Sequence, residues 1–400
     1  MIIFASRAHY SAIGGVENSI RSLAKVASQR QSPSMVVCRE AQLDESLDVA
    51  ATELPRGVGL VTYADDIDFH PLQRLWQLHH GGYTLVQLYQ GLYYQHPDAH
   101  IIARHHMHVL AAHNAGFKQV CYLVPSLTAM QLKQELSGAS WSDQIKLYLH
   151  MWIDGALQKR AFKRSNLFVF SKTMRDSVLK NLPKYRQSTR IKIVKPGIDC
   201  ERFLPPTATE KSELRAQLGL PLDTILFLFV GRFVQAKGLD FLVPAMTRLS
   251  SRCGAILIGD GERKVAVRKI IALMDLDHRV QLVDATLRIE DYYRACDIFV
   301  MSSTYEPFGQ TILEAVASGL RVVAFNRSTG VKTATHELGL DVVIDYADQL
   351  DADGLALAMD NALEQLCTDS NAPSSLDQAE SQDRAINTYS WSTLLDQLLE

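Results

Sequence analysis

The chain has 400 residues, of which 47% are hydrophobic and 21% charged, with a formal net charge of −3. This predicts two or three globular domains with sizeable cores, and no apolar run approaches the roughly 20 residues that a membrane-spanning helix needs. The six cysteines are scattered without a C-x-x-C pair, which excludes a disulfide framework and a cysteine zinc site. The opening segment, MIIFASRAHYSAIGG, has no basic start and is not expected to be a signal peptide.

The charge is unevenly distributed along the chain. Residues 1–200 carry 23 lysines and arginines against 15 acidic residues, and residues 201–400 carry 18 against 29. Most of the basic excess lies in residues 101–200, with 16 basic and 5 acidic residues. A basic half joined to an acidic half suggests two domains with different partners.

The first elements predict an α/β domain. Residues 1–5 are predicted to form a buried strand, a loop ends in Gly14-Gly15, and a helix follows over residues 16–29. The two glycines allow a ligand close to the backbone, but they do not complete a G-x-G-x-x-G dinucleotide fingerprint. Strands are predicted at 34–38 and 84–89, and residues 40–70 show an irregular, acidic pattern.

Six of the thirteen histidines lie between positions 96 and 113. A metal site is the alternative to ordinary histidines here, but no His pair has the i,i+4 spacing with an intervening Glu that a zinc helix uses. We therefore expect histidines on the surface of a helix. They are His96, His100, His105, His106, His108 and His113.

Residues 141–164 have a long helical pattern with a basic end. Two interpretations stay open: a core helix whose cations suit the negative end of the helix dipole, which we prefer, and an interfacial helix on anionic lipid. For the domain as a whole, we expect a basic surface that faces a membrane or an anionic acceptor. The predicted apolar face consists of Ile145, Leu149, Trp152, Ile153, Ala156 and Leu157, and the basic end of Lys159, Arg160, Lys163 and Arg164.

The second half alternates strands and helices, as parallel α/β domains do. Strands are predicted at 224–230, 255–258, 280–283, 297–301 and 321–325. Arg232 and Lys237 follow the first of these, at the sheet edge where ligands bind in open α/β sheets. Cations fixed there would stabilise the charge that develops on a departing diphosphate.

Residues 301–325 form the most informative stretch. A buried strand leads into Glu306-Pro-Phe-Gly309, a helix is predicted from about position 310 to 318, and another strand follows. Free N–H groups at the helix start favour an anion, and Gly309 leaves the backbone open to it. Glu306 and Glu314 flank that point.

This stretch resembles the Glu-x7-Glu signature of the retaining GT-B glycosyltransferases of family 4, and Lys195-Pro-Gly-Ile-Asp199 resembles their interdomain segment. The resemblance implies two Rossmann-like domains facing a cleft, with the last helix crossing back to the N-terminal domain. It implies domains at 1–203 with 388–400, for the acceptor, and at 204–387, for a nucleotide-sugar. Glu306, Arg232 and Lys237 would be catalytic. The donor-binding set would be Gly14, Gly15, Arg232, Lys237, Pro307, Phe308, Gly309, Gln310, Thr311, Ile312 and Glu314.

Two positions depart from the family pattern. Pro125-Ser126 stands where relatives often carry a catalytic histidine, so Ser126 is our candidate on the acceptor side. Asp284 stands where relatives have a glycine near the base, which leaves the nucleotide unidentified. The pairs Asp66/Asp68, Asp275/Asp277 and Asp351/Asp353 do not follow confident strands, so no metal or other cofactor is expected.

The implied activity is retaining transfer of a sugar from a nucleotide-diphosphate donor to a hydroxyl of a glycan or lipid-linked glycan. Such an enzyme would work in the cytoplasm, and a peripheral contact with the anionic inner face of the cell membrane stays open. The alternatives are a GT-B epimerase or phosphorylase, and a non-catalytic sugar-binding partner subunit. Nucleic acid is not expected as a partner, because the basic middle lacks the aromatic–basic motifs of the known modules.

Overall fold

A computed structural model describes residues 1–12, 14–40, 54–64, 84–127, 141–181, 191–369 and 388–400. Asp66, Asp68 and nearly all of the polar segment 369–383 therefore lie outside the described residues. The chain divides into two compact units, one of Met1–Gly197 with Trp391–Glu400 and one of Ile198–Ser390. The division falls at residue 197 rather than at 203, because Ile198 and Phe203 belong to the core of the second unit.

The first unit is built on a seven-stranded parallel sheet in the order β3-β2-β1-β4-β5-β6-β7. Its central strands are buried on both faces, which accounts for their continuous apolar runs. The strands are β1 Ile2–Ala5, β2 Ser34–Arg39, β3 Val58–Tyr63, β4 His100–Ala103, β5 Val120–Leu123, β6 Asn166–Val169 and β7 Ile191–Ile193. The helices are α1 Gly15–Gln29, α2 Thr84–Gln95, α3 His106–Ala115, α4 Trp141–Phe162 and α5 Lys172–Asn181.

The second unit has a six-stranded parallel sheet in the order β10-β9-β8-β11-β13-β15, with a two-stranded ribbon of β12 and β14. Apolar clusters pack on both faces of this sheet. The strands are β8 Ile225–Val230, β9 Cys253–Ile258, β10 Val280–Val283, β11 Ile298–Met301, β12 Tyr305–Glu306, β13 Arg321–Phe325, β14 Lys332–Thr333 and β15 Ile344–Ala347. The helices are α6 Ala208–Gln217, α7 Leu239–Ala245, α8 Lys264–Leu273, α9 Ile289–Ala295, α10 Gln310–Ala317 and α11 Ala352–Asp369.

The last helix, α12 Trp391–Leu399, belongs to the first unit, as predicted. Its apolar face packs with β1 and α1, and Asp396 forms an ion pair with Arg30 at 2.5 Å. The Trp391 ring occupies the space beside Gly197, where an added Cβ would lie 2.2 Å from ring atoms. A glycine at 197 is therefore a steric requirement of the returning helix.

The strand predicted at residues 84–89 is wrong, because this segment begins α2. Leu85, Val86, Tyr89 and Leu92 are buried at helical spacing. A short apolar run fits a strand and a buried helix equally well, and its continuation to residue 95 decides for the helix. The structure also adds β3, within the acidic region from which no strand was predicted.

The expectation that the histidines lie on a helix surface is also wrong in part. His100 begins a strand, and His106 and His108 are buried in α3. His108 is held between two tyrosine hydroxyls, at 3.1 Å from Tyr63 Oη and 3.0 Å from Tyr89 Oη. Burial lowers the pKa of His108 to about 3, so it is a neutral core residue.

Candidate active site

The loops after β8 and β11 meet at the carboxyl edge of the second unit's sheet. β8 and β11 are neighbours in the middle of this sheet, and the strand order changes direction between them. In doubly wound sheets, the loops that part at this place leave a crevice that binds ligands. The residues of the second unit that are predicted to bind the donor follow these two strands.

Lys237 and Glu306 come together at this edge. Lys237 Nζ lies 2.5 Å from Glu306 Oε2, and both side chains are mostly buried, with 17% and 15% exposed. Burial acts to raise the pKa of Glu306, but Lys237 and the N–H groups of Phe308 and Gly309 outweigh it and hold the pKa below its usual value. Glu306 is therefore a carboxylate at neutral pH.

The turn that carries Lys237 is fixed by the loop after β11. Ser302 Oγ donates to the Lys237 carbonyl at 2.8 Å, and Thr304 N donates to the Ala236 carbonyl at 2.8 Å. Gly238 adopts φ +67° in this turn, and an added Cβ would lie 1.9 Å from the Ser302 carbonyl oxygen. Only glycine allows the backbone at position 238 to lie this close to the Ser302 carbonyl. The contact between these two backbone segments therefore orients the Lys237 side chain.

A second network supports the same turn from the other side. Arg263 donates to Asp240 at 2.6 Å and also to Gln235, and Gln235 Nε2 donates to Asp240 at 3.0 Å. The network ties the short turn at Gln235–Lys237 to the starts of α7 and α8. Arg232, by contrast, is exposed, and no acidic partner for it is found in the described part of the chain.

The start of α10 presents backbone donors. Gly309 N donates to Glu306 Oε1 at 3.2 Å, and Ile312 N donates to the Gly309 carbonyl at 3.0 Å, so these two N–H groups are engaged. Within the described residues, the N–H groups of Gln310 and Thr311 have no acceptor. Gly309 has φ +82° as the residue before the helix, which makes glycine the natural choice there. Ile312 contributes its side chain to the core rather than to the site.

Glu314 lies one turn further along α10 and is buried. Tyr293 Oη donates to Glu314 Oε2 at 3.0 Å, and Arg202 lies close enough to act on it electrostatically. Burial raises the pKa of Glu314 to about 7, although the tyrosine hydroxyl and Arg202 act in the opposite direction. Glu314 therefore titrates near neutral pH, unlike Glu306.

Residues 210–371 match the model of the family described as glycosyl transferases group 1. The matched segment contains all the predicted donor-side residues from Arg232 to Glu314. The second unit therefore resembles this family over most of its length. The resemblance that the Glu306-Pro-Phe-Gly309 segment suggested is confirmed.

Curated relatives of this group 1 domain carry glycosyltransferase names. The chain is 36% identical over 200 residues to a D-inositol 3-phosphate glycosyltransferase of Xylanimonas cellulosilytica, covering 46% of this chain and 47% of that one. It is 33% identical over 157 residues to the lipopolysaccharide core biosynthesis glycosyltransferase LpsE of Rhizobium meliloti, covering 39% and 44%. The chain thus spans about half the length of the curated relatives that it matches.

Solved structures resemble the entire chain. A sucrose-phosphate synthase from Thermosynechococcus elongatus has a TM-score of 0.74 at 18% identity and covers 99% of this chain and 96% of that one. HepE of Anabaena, solved in complex with UDP-glucose, has a TM-score of 0.72 at 18% identity, covering 99% and 97%. At such identities the likeness establishes the fold alone. It is the GT-B fold, with two Rossmann-like units, as predicted.

Several supporting residues of the group 1 domain were missed in the sequence. Tyr293, Ser302, Asp240 and Arg263 position the predicted residues without belonging to the motif. Their positions within or beside helices and strands gave no chemical signal, because each acts through a contact with a residue distant in sequence. Arg202 lies shortly after the interdomain segment Lys195–Asp199, and the fold brings its charge close enough to act on Glu314.

The remaining predicted residues belong to the first unit. Gly14 and Gly15 stand at the start of α1, and an added Cβ at Gly14 would lie 2.4 Å from a Glu17 carboxylate oxygen. Ser126 follows β5, and its carbonyl accepts a hydrogen bond from Gln158 Nε2 at 2.9 Å. The second unit therefore brings Lys237, Glu306 and the start of α10 together. Gly14, Gly15 and Ser126 belong to the first unit.

Two further findings concern metals and membranes. Among the described residues, no three His, Cys, Asp or Glu side chains are grouped so that they could hold a metal ion. Of the helices in the described ranges, none combines the length and the apolarity that a bilayer crossing requires.

Asp284, which stands where relatives have a glycine, forms an ion pair with Lys264 at the carboxyl edge after β10.

Proposed function

We propose that the chain is a retaining glycosyltransferase that moves a sugar from a nucleotide-diphosphate donor to a hydroxyl of a glycan or lipid-linked glycan. One observation carries the proposal: Lys237, exposed Arg232 and the N–H groups of Gln310 and Thr311 lie at the same sheet edge as two largely buried carboxylates. Neither of these N–H groups has an acceptor in the described ranges. Cations and amides suit a diphosphate, and carboxylates suit sugar hydroxyls. The group 1 family match and the neighbours solved with UDP-glucose support this assignment.

Each group has a proposed role in the reaction. Lys237 and Arg232 stabilise the negative charge that grows on the diphosphate as its bond to the sugar C1 breaks. Glu306, held ionised, stabilises positive charge on the sugar ring, and Glu314 accepts hydrogen bonds from the ribose. The acceptor oxygen forms the new bond to C1 on the face that the diphosphate leaves, and its proton passes to the departing phosphate oxygen. Transfer with retention therefore needs no covalent enzyme intermediate.

A ligand screen followed by a transfer assay tests this function. UDP-, GDP- and ADP-sugars are screened by thermal shift, because a ligand that binds only the folded protein raises its melting temperature. Bound donors are then incubated with and without glycan acceptors, and the anomeric configuration of the product is read by NMR. Binding without any product would favour the non-catalytic partner subunit, and a donor altered without acceptor would favour the epimerase.

The first unit also has a face that fits a membrane surface. Ile145, Tyr148 and Trp152 lie on α4 at spacings of three and four residues and are 51%, 54% and 68% exposed. The predicted apolar face is thus divided, because Ile153 and Leu157 are buried in the core while Trp152 faces outward. The exposed face continues into the exposed cations Lys159 and Arg160.

We propose that this α4 face rests on an anionic lipid surface, which would hold the enzyme at the inner face of the cell membrane. Exposed aromatic and aliphatic side chains followed by cations are what interfacial helices use. Sedimentation with phosphatidylglycerol vesicles is the test, with phosphatidylcholine vesicles for comparison. Trp152→Ser and the pair Lys159→Glu, Arg160→Glu should abolish binding, and Leu357→Ser, an equally exposed apolar site in the second unit, should not. Equal binding by all variants would refute the proposal.

A further inference from the structure

We propose that the first unit binds an anionic group of the acceptor, a carboxylate or a phosphate, on the guanidinium of Arg104. The inference rests on the proposed transferase function, because only a transferase has an acceptor. It adds the chemical class of that acceptor. Arg104 lies outside the segments of the chain that resemble the family pattern.

Arg104 stands at the centre of the first unit's carboxyl edge. It directly follows β4, and its N–H donates to the carbonyl of Ala5 at the end of β1, at 2.9 Å. The strand order of this sheet changes direction between β1 and β4. It is the same topological position that Lys237 and Glu306 occupy in the second unit, and ligands of doubly wound sheets bind there.

The Arg104 side chain is buried, with 5% of its surface exposed, yet most of its donors have no acceptor among the residues that the structure describes. Nη1 donates to the Leu123 carbonyl at 3.2 Å, and the guanidinium lies 5.2 Å from the centre of the Phe170 ring. Within the described residues, Nε has no acceptor and no carboxylate forms an ion pair with this guanidinium. Glu17 acts on it electrostatically without such contact.

A second buried arginine shows what a purely structural role looks like in this chain. Arg215 is 6% exposed, but it forms an ion pair with Asp297 at 2.7 Å and donates to the carbonyls of Ala295, Leu222 and Thr224. A buried charge is costly unless it is paired and hydrogen-bonded. Arg215 meets that requirement within the protein. Arg104 has no paired anion among the described residues, and a ligand would supply one.

The surroundings of Arg104 indicate what the anion is attached to. Tyr122 lies close enough to Arg104 for the two side chains to interact electrostatically. Gln158 Nε2 donates to the Tyr122 hydroxyl at 3.2 Å and to the Ser126 carbonyl at 2.9 Å, so it links these two residues. Ser126 is the residue predicted for the acceptor side. The planar guanidinium fork matches a carboxylate or phosphate in two hydrogen bonds, while a neutral glycan would leave its charge unpaired.

The experiment uses the full chain with Arg232→Ala and Lys237→Ala, so that anions cannot bind at the proposed donor site. Melting temperatures are measured with glucuronate, glucose 6-phosphate, inorganic phosphate and neutral glucose. We expect the two sugar anions to raise the melting temperature by about 3 °C at saturation and glucose to leave it unchanged. Adding Arg104→Gln should abolish the rise. Arg175→Gln is the matched control, because Arg175 is paired with Asp176 on the surface of the same unit.

The outcomes separate this inference from the proposed function. A rise that survives Arg104→Gln, or no rise with either sugar anion, overturns the anion site. A full rise with inorganic phosphate alone overturns the acceptor assignment. Should Arg104→Gln not fold, Arg104→Lys keeps the charge without the fork and should weaken anion binding at least tenfold. In the chain with Arg232 and Lys237 intact, Arg104→Gln should leave binding of the nucleotide-sugar donor unchanged. If no variant binds a nucleotide-sugar, the transferase function is refuted and the anion site at Arg104 is not.

Discussion

Lys237 and Glu306 are bonded to each other across two loops that are far apart in sequence, with Nζ and Oε2 at 2.5 Å. The contact places the cation proposed for the diphosphate directly beside the carboxylate proposed for the sugar. Lys237 therefore helps to hold the pKa of Glu306 below its usual value, and Glu306 stays ionised in spite of its burial. In the proposed mechanism, the pair would join stabilisation of the leaving group to stabilisation of the sugar cation.

Removing Lys237 should impair both stability and transfer. Lys237→Ala leaves the buried Glu306 carboxylate unpaired, so we expect a loss of about 3 kcal/mol in the free energy of unfolding. The turnover number should fall by about 10²–10³. Lys269→Ala, an exposed lysine on α8, is the control and should change neither. Urea unfolding and initial rates measure the two effects.

The double variant Lys237→Ala, Glu306→Gln should recover part of the stability but none of the turnover. Replacing the carboxylate removes the unpaired buried charge that the single variant leaves. If the two single losses of stability simply add in the double variant, the residues are not energetically coupled and the interpretation of the pair is wrong.

Glu314 should make the stability depend on pH near neutrality. Its pKa in the folded protein, about 7, lies above the ordinary 4.5, so the folded state binds more protons between these values. Stability from this group is therefore present below pH 4.5 and is lost as the pH rises through 7. At pH 8, the free energy of unfolding of Glu314→Gln should be about 3 kcal/mol higher than that of the natural protein. At pH 4 the two should not differ in this way.

Urea unfolding across this pH range tests the Glu314 prediction. Glu213→Gln, an exposed glutamate on α6, serves as the control. Tyr293→Phe should move the transition to higher pH, because the Tyr293 hydroxyl acts to lower the pKa of Glu314. An unchanged pH profile in Glu314→Gln would show that the carboxyl does not titrate in this window.

Gly238→Ala should be far more harmful than a comparable glycine substitution. Gly238 and Gly219 have nearly the same backbone angle, φ +67° and +65°, but only Gly238 has a neighbour in the way, the Ser302 carbonyl at 1.9 Å. Gly219→Ala meets open space and should cost about 1 kcal/mol from backbone strain. Gly238→Ala should cost about 3 kcal/mol or more and displace Lys237. Thermal unfolding of the two variants compares them, and equal losses would contradict the close approach.

Transfer activity should persist in EDTA. The proposed mechanism assigns the diphosphate charge to Arg232, Lys237 and backbone N–H groups, which need no metal ion. Rates are measured with and without an excess of EDTA over any divalent cation. A full loss of activity that Mg²⁺ or Mn²⁺ restores would refute this assignment of roles.

Local sequence determined the parts of this protein that depend on neighbours along the chain. The Glu306-Pro-Phe-Gly309 segment, the helix start after it and the cations after β8 are short-range features, because strand ends and helix starts are set by nearby residues. The α/β organisation followed from the alternation of strands and helices, and the division into two Rossmann-like units followed from the resemblance to the family. The segment at 84–89 shows the limit, since four apolar positions could not decide between strand and helix.

Tertiary structure alone decided which charges are paired. The sequence could not show that Lys237 contacts Glu306, that Tyr293 and Arg202 act on Glu314, or that His108 is enclosed by two tyrosines. Nor could it distinguish Arg215, which forms an ion pair with Asp297, from Arg104, for which the described part of the chain offers no paired carboxylate. The physical reason is that burial and hydrogen bonding, which set the charge and the energy of an ionisable group, come from residues distant in sequence.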